Sequence, residues 1–226
     1  MKEKVSILFL ITGILFVICL ILANLLETKV IQLGPITATA GLIVFPISYI
    51  INDCIVEVWG YKKARLIIWL GFAMNFFVVG LTQLAVLIPA APFWESEAAF
   101  NSIYGMAPRI VAGSFCAFLV GSFLNAYVMS RMKIASHGKY FSIRAIVSTI
   151  AGESADSIIF FPIAFGGLIS MPNLLLMIIT QICLKSLYEI IILPVTIRVV
   201  KWIKKIEEVD TYDHHISFNP LKIKDM

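Results

Sequence analysis

Apolar residues fill six long stretches of this chain, at about residues 5–26, 38–58, 65–89, 109–131, 143–168 and 174–199, and polar residues gather between them. A helix rises about 1.5 Å per residue, so roughly 20 apolar residues cross the roughly 30 Å of bilayer hydrocarbon. The pattern therefore predicts six transmembrane helices packed as one bundle. Charged residues interrupt three of the stretches: Asp53 with Glu57, Glu153 with Asp156, and Lys185 with Glu189. Residues three or four apart share a helix face, so three of the helices carry a polar stripe. Such groups are costly in lipid and normally face a protein interior or a water-filled path, which makes them the default functional site.

Composition supports the same class. Of 226 residues, 60% are hydrophobic and only 14% charged, too few to clothe a soluble domain. The expected fold is an all-α membrane protein, a six-transmembrane-helix bundle over residues 1–200 with a basic tail over residues 201–226. Short basic loops stay on the cytoplasmic side. Of the eighteen Lys and Arg residues, fifteen fall on one side of the predicted bundle, Lys29 and Arg109 on the other, and Lys185 inside a helix. Both termini are therefore expected in the cytoplasm, with the protein in the cytoplasmic (inner) membrane. The net charge of +4 reflects this asymmetry rather than an affinity for nucleic acid, and the tail reads as a membrane-surface anchor. The first stretch is too long for a signal-peptide core and is kept as a helix.

Little else in the chain suggests chemistry. Cys19, Cys54, Cys116 and Cys183 lie in predicted spans without metal-ligand spacing, and the pair His214 and His215 lies in the tail, so no metal and no cofactor is expected. No phosphate-binding G-x-x-x-x-G-K loop is present, and the chain carries no ATPase domain. An intramembrane enzyme would need a nucleophile with its base or a metal cluster, and no histidine lies in a span. Pro89 and Pro92 end the third stretch. The mixed segment 93–106 that follows is expected to lie at the interface.

Depth along the helices sorts the charges. Glu153 falls roughly 15 Å and Asp156 roughly 20 Å from the inner end of the fifth helix, and Lys185 roughly 16 Å below the outer end of the sixth. Glu153 and Lys185 thus share the midplane, while Asp53 and Glu57 lie nearer the cytoplasm. Phe45-Pro46 and Phe160-Phe161-Pro162 place aromatic rings and helix-bending prolines in the outer half, where breaks are tolerated beside a cavity. Three helices per half would also allow an inverted 3+3 repeat, marked only by the parallel between Asn24 with Lys29 and Asn125 with Arg131.

Taken in order, Asn24-Leu25 with Lys29, Gly41, Phe45-Pro46, Asp53, Glu57, Gly60 and Ala64-Arg65 resemble the queuosine precursor transporter family, formerly grouped as vitamin uptake transporters. Arg109 with Ser114, Gly121, Arg131, Arg144 with Ser148-Thr149, Asp156, Phe160, Ile163-Ala164-Phe165 and Lys185 extend the resemblance over about residues 20–200. Asn125 stands where many members have Asp, and Glu153 where an amide is common. The resemblance implies import of 7-deazaguanines such as 7-cyano-7-deazaguanine, its aminomethyl relative or queuine. It implies a substrate site drawn from Asn24, Phe45, Asn125, Glu153, Asp156, Phe160, Lys185 and Glu189. Asp53, Glu57, Arg65 and Arg109 would serve as gate or coupling residues. The expected partners are a small-molecule 7-deazaguanine and the lipid bilayer; a homodimer is compatible with the family. A substrate-binding subunit of an energy-coupling factor vitamin transporter is the competing reading. It would need a small-residue docking motif in the first helix, which offers Gly13 and Ala23 without Ala-x-x-x-Ala spacing.

Overall fold

The computed structural model describes residues 5–26, 29–33, 36–105, 108–167, 170–214 and 216–222. Its helices are α1 (Ile7–Leu26), α2 (Phe45–Leu87), α3 (Glu97–Tyr104), α4 (Pro108–Ala135), α5 (Phe141–Phe165) and α6 (Met171–Glu207). Five of them are long and apolar enough to cross a membrane. The short α3 follows the prolines that end the third apolar stretch, within the segment expected at the interface.

One element departs from the all-α expectation. Strands β1 (Val30–Leu33) and β2 (Ile36–Thr39) pair antiparallel, Val30 opposite Thr39 and Leu33 opposite Ile36. The β-branched Val30, Ile31, Ile36, Thr37 and Thr39 favour extended backbone. A 3₁₀ turn at Ala40–Ile43 then leads into α2, whose Pro46 suits a first turn that needs no N–H donor.

The second and third apolar stretches form one helical element of 43 residues, interrupted at Gly60 (φ 83°, ψ 172°), a conformation that favours glycine. Packing against α1 shows what the interruption does. Phe9, near the start of α1, meets the Trp59 ring. Near its end, Ala23 packs with Phe45 and Tyr49, while Asn24 and Leu25 line a small cavity with Asn75, Val79 and Gln83. Both ends of α2 thus lie beside the same end of α1, so the chain reverses at Gly60 and the halves 45–59 and 61–87 run antiparallel.

Helices α4 and α5 approach closely where glycines leave room. A Cβ on Gly152 would sit 2.9 Å from the Gly121 carbonyl oxygen and 2.8 Å from Tyr49 Cε1. The main apolar core gathers Phe16, Leu20, Ile55, Ile68, Phe118, Met129 and Ala145 from α1, α2, α4 and α5, while many large apolar side chains, among them Leu10, Ile14, Phe76, Phe77, Ile158 and Ile191, face outward.

Beyond α6, which continues past the boundary expected at residue 200, the tail folds back on the basic end of the bundle. Thr211 N–H donates to the Val58 carbonyl at 3.1 Å. Asp213 accepts from the Tyr61 N–H at 2.9 Å and from the Ser130 hydroxyl at 2.5 Å, which caps the half-helix that begins after Gly60. Arg65 donates to the carbonyls of Ser217 (3.2 Å) and Asn219 (2.9 Å), and Trp69 to that of Pro220 (2.8 Å).

Candidate functional site

Polar side chains that the helices bury form three tiers along the bundle. In the first, farthest from the basic end, Lys185 of α6 places Nζ 2.8 Å from Glu153 Oε2 and 3.3 Å from Asp156 Oδ2, both on α5. The same ammonium stands 3.9 Å from the centre of the Phe45 ring, a cation–π contact. Tyr49, one turn along α2, tilts against Phe45 at 5.6 Å and fills the gap that Gly121 and Gly152 leave. Phe160, one turn beyond Asp156, is half-buried against Phe161 and Phe165. The shared depth of Glu153 and Lys185 corresponds in the structure to an ion pair.

The second tier lies one turn toward the basic end. The Asp53 carboxylate, fully buried, accepts from the Ser148 hydroxyl at 3.3 Å. Beside it, Asn52 donates to the Asn125 side-chain oxygen at 2.8 Å and to the Ser122 carbonyl at 3.3 Å. Glu189 is also fully buried, and among the described residues neither of its carboxylate oxygens has a hydrogen-bond partner.

The third tier centres on Glu57. Arg144 grips both carboxylate oxygens, Lys204 reaches one of them at 2.7 Å, and Lys133 stands 3.9 Å away. Such a bidentate guanidinium pair fixes geometry as well as charge. Lys133 also donates to the Glu57 carbonyl (2.5 Å), the Thr211 carbonyl (2.8 Å) and Asp210 (2.5 Å), and Lys204 to Asp210 (2.9 Å). Partial burial works against the ionised form of Asp210, but hydrogen bonds from Lys133 and Lys204 outweigh it and hold this carboxyl below its usual range.

The residues expected at the site separate accordingly. Phe45, Glu153, Asp156 and Lys185 meet in one cluster; Asn125, Asp53 and Glu189 lie below it; Glu57 belongs to the third tier. Arg65 holds the tail. Asn24 lines the small cavity of about 20 Å³ between α1 and the second half of α2, with Thr82, Gln83 and Tyr104. Arg109 lies in α4, but its side chain is outside the described ones.

Sequence reading does not single out Tyr49 at all, although Phe45, Tyr49, Asp53 and Glu57 recur every four residues and so mark one face. Arg144, Lys133 and Lys204 count there only as charges of the basic side. Arg144 lies at the start of the fifth stretch and in the first turn of α5, whereas α4 and α6 extend beyond their apolar stretches to include Lys133 and Lys204.

A family model described as Putative vitamin uptake transporter matches residues 39–199. The chain is 30% identical over 173 residues to the Probable queuosine precursor transporter of Bacillus subtilis (strain 168), covering 76% of each chain. It is 29% identical over 134 residues to the Probable queuosine precursor transporter of Haemophilus influenzae, covering 57% of this chain and 52% of that one. To the Queuosine precursor transporter of Escherichia coli (strain K12) it is 26% identical over 127 residues, covering 56% and 55%. No solved structure matches the chain. Coverage of most of the chain by the family model, together with helices suited to a membrane, settles the class: the chain belongs to the queuosine precursor transporter family and is a multi-pass membrane transport protein, not an enzyme.

Proposed function

We propose that this protein imports 7-deazaguanine precursors of queuosine across the cytoplasmic membrane, binding them in the tier formed by Phe45, Glu153, Asp156 and Lys185. The observation that carries the reading is the contact of one buried ammonium with two carboxylates and an aromatic face. A guanine-like base presents a ring N–H beside an exocyclic amine, a fork that a carboxylate accepts with two hydrogen bonds. Asp156 or Glu153 receives this edge. Lys185, released from that carboxylate, donates to the ring carbonyl, with Asn125 as a further donor. Phe45 and Phe160 stack on the flat face, an interaction worth about 1–3 kcal/mol per base in single-strand binders. Substrate thus exchanges one set of charge-assisted bonds for another, so the ion cluster need not be desolvated afresh on each cycle.

The reversal at Gly60, which divides α2 into antiparallel halves of 15 and 27 residues, supports a reading of six crossings. The cationic side chains around Glu57 support a cytoplasmic position for that end of the bundle and for both termini. Glu57 with Arg144, Lys133 and Lys204 then forms the inner gate, and opening inward separates them. Prolines 46, 162 and 194 lie inside or at the start of the spans and supply bends about which the outer and inner halves move. The curated relatives named for queuosine precursors favour this reading over an energy-coupling factor subunit.

Uptake of labelled 7-deazaguanines by cells without another importer tests the proposal. Import by this chain supports it, and import of none of the three candidate precursors rejects it.

A further inference from the structure

Asp53 and Glu189 are the two buried acids that the binding tier and the inner gate leave over. Lys185 and Lys204 bracket Glu189 on α6: the first stands over Phe45 and the second reaches Glu57. Glu189 therefore lies alongside the stretch of α2 between those residues, whose acid is Asp53. Both acids are fully buried.

The surrounding charges are committed elsewhere. On α2 the neighbours are Tyr49 and Glu57; on α5 they are Glu153 and Arg144; on α4, Lys133; on α6, Lys185 and Lys204. Lys185 contacts Glu153 and Asp156, and Arg144, Lys133 and Lys204 contact Glu57. Among the described residues, no cation lies within ion-pair distance of Asp53 or Glu189. The side chain that donates to the Asp53 carboxylate is the Ser148 hydroxyl. Nor does any group of three or more His, Cys, Asp or Glu residues form a metal site there.

Two carboxylates buried at neighbouring levels of one water-poor interior cannot both stay ionised without a compensating cation, because desolvation and mutual repulsion both oppose it. They share a proton instead and titrate as a pair. We propose that Asp53 and Glu189 hold one exchangeable proton between them and that this pair couples substrate import to the proton gradient. The proton enters from the outer water to the pair, and leaves to the cytoplasm when the gate at Glu57 opens. The proton-holding part stands on the geometry alone, whereas the coupling part rests on the import reading above.

The test uses the full chain reconstituted in lipid bilayers. Infrared spectra at neutral pH should show a protonated-carboxyl stretch that shifts on deuteration, is lost or displaced in Asp53→Asn and in Glu189→Gln, and survives Asp210→Asn. Absence of that band, or its persistence unchanged in both variants, overturns the proton site. In proteoliposomes, an alkaline interior should drive accumulation of labelled 7-cyano-7-deazaguanine by up to about tenfold per pH unit for one proton per substrate. Both variants should keep exchange between labelled and unlabelled substrate and lose that accumulation. Accumulation that ignores the pH gradient, or follows sodium instead, overturns the coupling. If the wild-type chain exchanges no 7-deazaguanine while the infrared result holds, the import reading falls and the proton site stands.

Discussion

The Lys185 ammonium lies 2.8 Å from Glu153 Oε2, joining α6 to α5 inside the bundle. Removing one member of a buried pair leaves the other charge without compensation, typically at about 3–5 kcal/mol. Lys185→Ala should therefore lower the unfolding temperature in detergent, and Lys185→Met combined with Glu153→Gln should recover most of the loss. Neither form should import substrate, because the donor for the ring carbonyl is gone. Full import by the double variant would show that the pair serves packing alone.

Glu57 gathers three cations around one carboxylate. Glu57→Gln leaves Arg144, Lys133 and Lys204 with only Asp210 among the acids described there, so it should destabilise the protein by about 3–5 kcal/mol. Asp210→Asn, at an acid whose side chain is 44% exposed, should have a much smaller effect. Denaturation of the two variants side by side gives the comparison, and equal losses would contradict it.

The closeness of α4 to α5 depends on two missing side chains. A Cβ on Gly121 would meet the Tyr49 hydroxyl at 2.5 Å and the Gly152 carbonyl at 2.9 Å. Gly121→Ala and Gly152→Ala should each cost about 1–3 kcal/mol through overpacking. Gly80→Ala, with nothing within 4 Å of the new Cβ, should be neutral or gain up to about 1 kcal/mol from helix propensity. Unfolding midpoints of the three variants decide the point.

Docking of the tail should weaken in acid. The Asp210 carboxyl titrates below its usual range when its hydrogen bonds to Lys133 and Lys204 are made. Its contribution is thus fully present above the unfolded carboxylate value of about 3.9 and is lost as pH falls through the lower, docked value. Hydrogen exchange over residues 208–222 should accelerate as pH drops from about 5 to about 3, after correction for the intrinsic rate. Asp210→Asn should remove much of that dependence, and an unchanged profile would contradict it.

Depth along a helix follows from residue number, because the rise per residue is nearly constant. That is why Glu153 and Lys185 fall at one level on sequence grounds, and why a meeting between them is legible in the spacing alone. Azimuth and neighbourhood are different. The 3.6-residue period tells that Lys185 and Glu189 share a face, but not that Lys185 turns to α5 while Glu189 is buried without a hydrogen-bond partner among the described residues. Glu57 looks like a residue reaching the interface as long as Arg144, Lys133 and Lys204 count only toward the basic side, since the spacing does not tell which helix each of them turns to. Gly60 reads as one more residue between two spans; its role as the reversal point, capped by Asp213 from the far end of the chain, depends on long-range contacts. The hairpin at 30–39 is short, and the tail reads as basic although its docking uses backbone carbonyls and two acids.

The most direct measurement is uptake of labelled 7-cyano-7-deazaguanine, its aminomethyl relative and queuine by cells lacking other importers, comparing this chain with Asp156→Asn and Lys185→Met at equal membrane levels. The account predicts import of at least one of the three by the wild-type chain and a loss of about tenfold or more in each variant, the size of one lost charge-assisted bond. Import by both variants at the wild-type rate, or import of none of the three by the wild type, would contradict it.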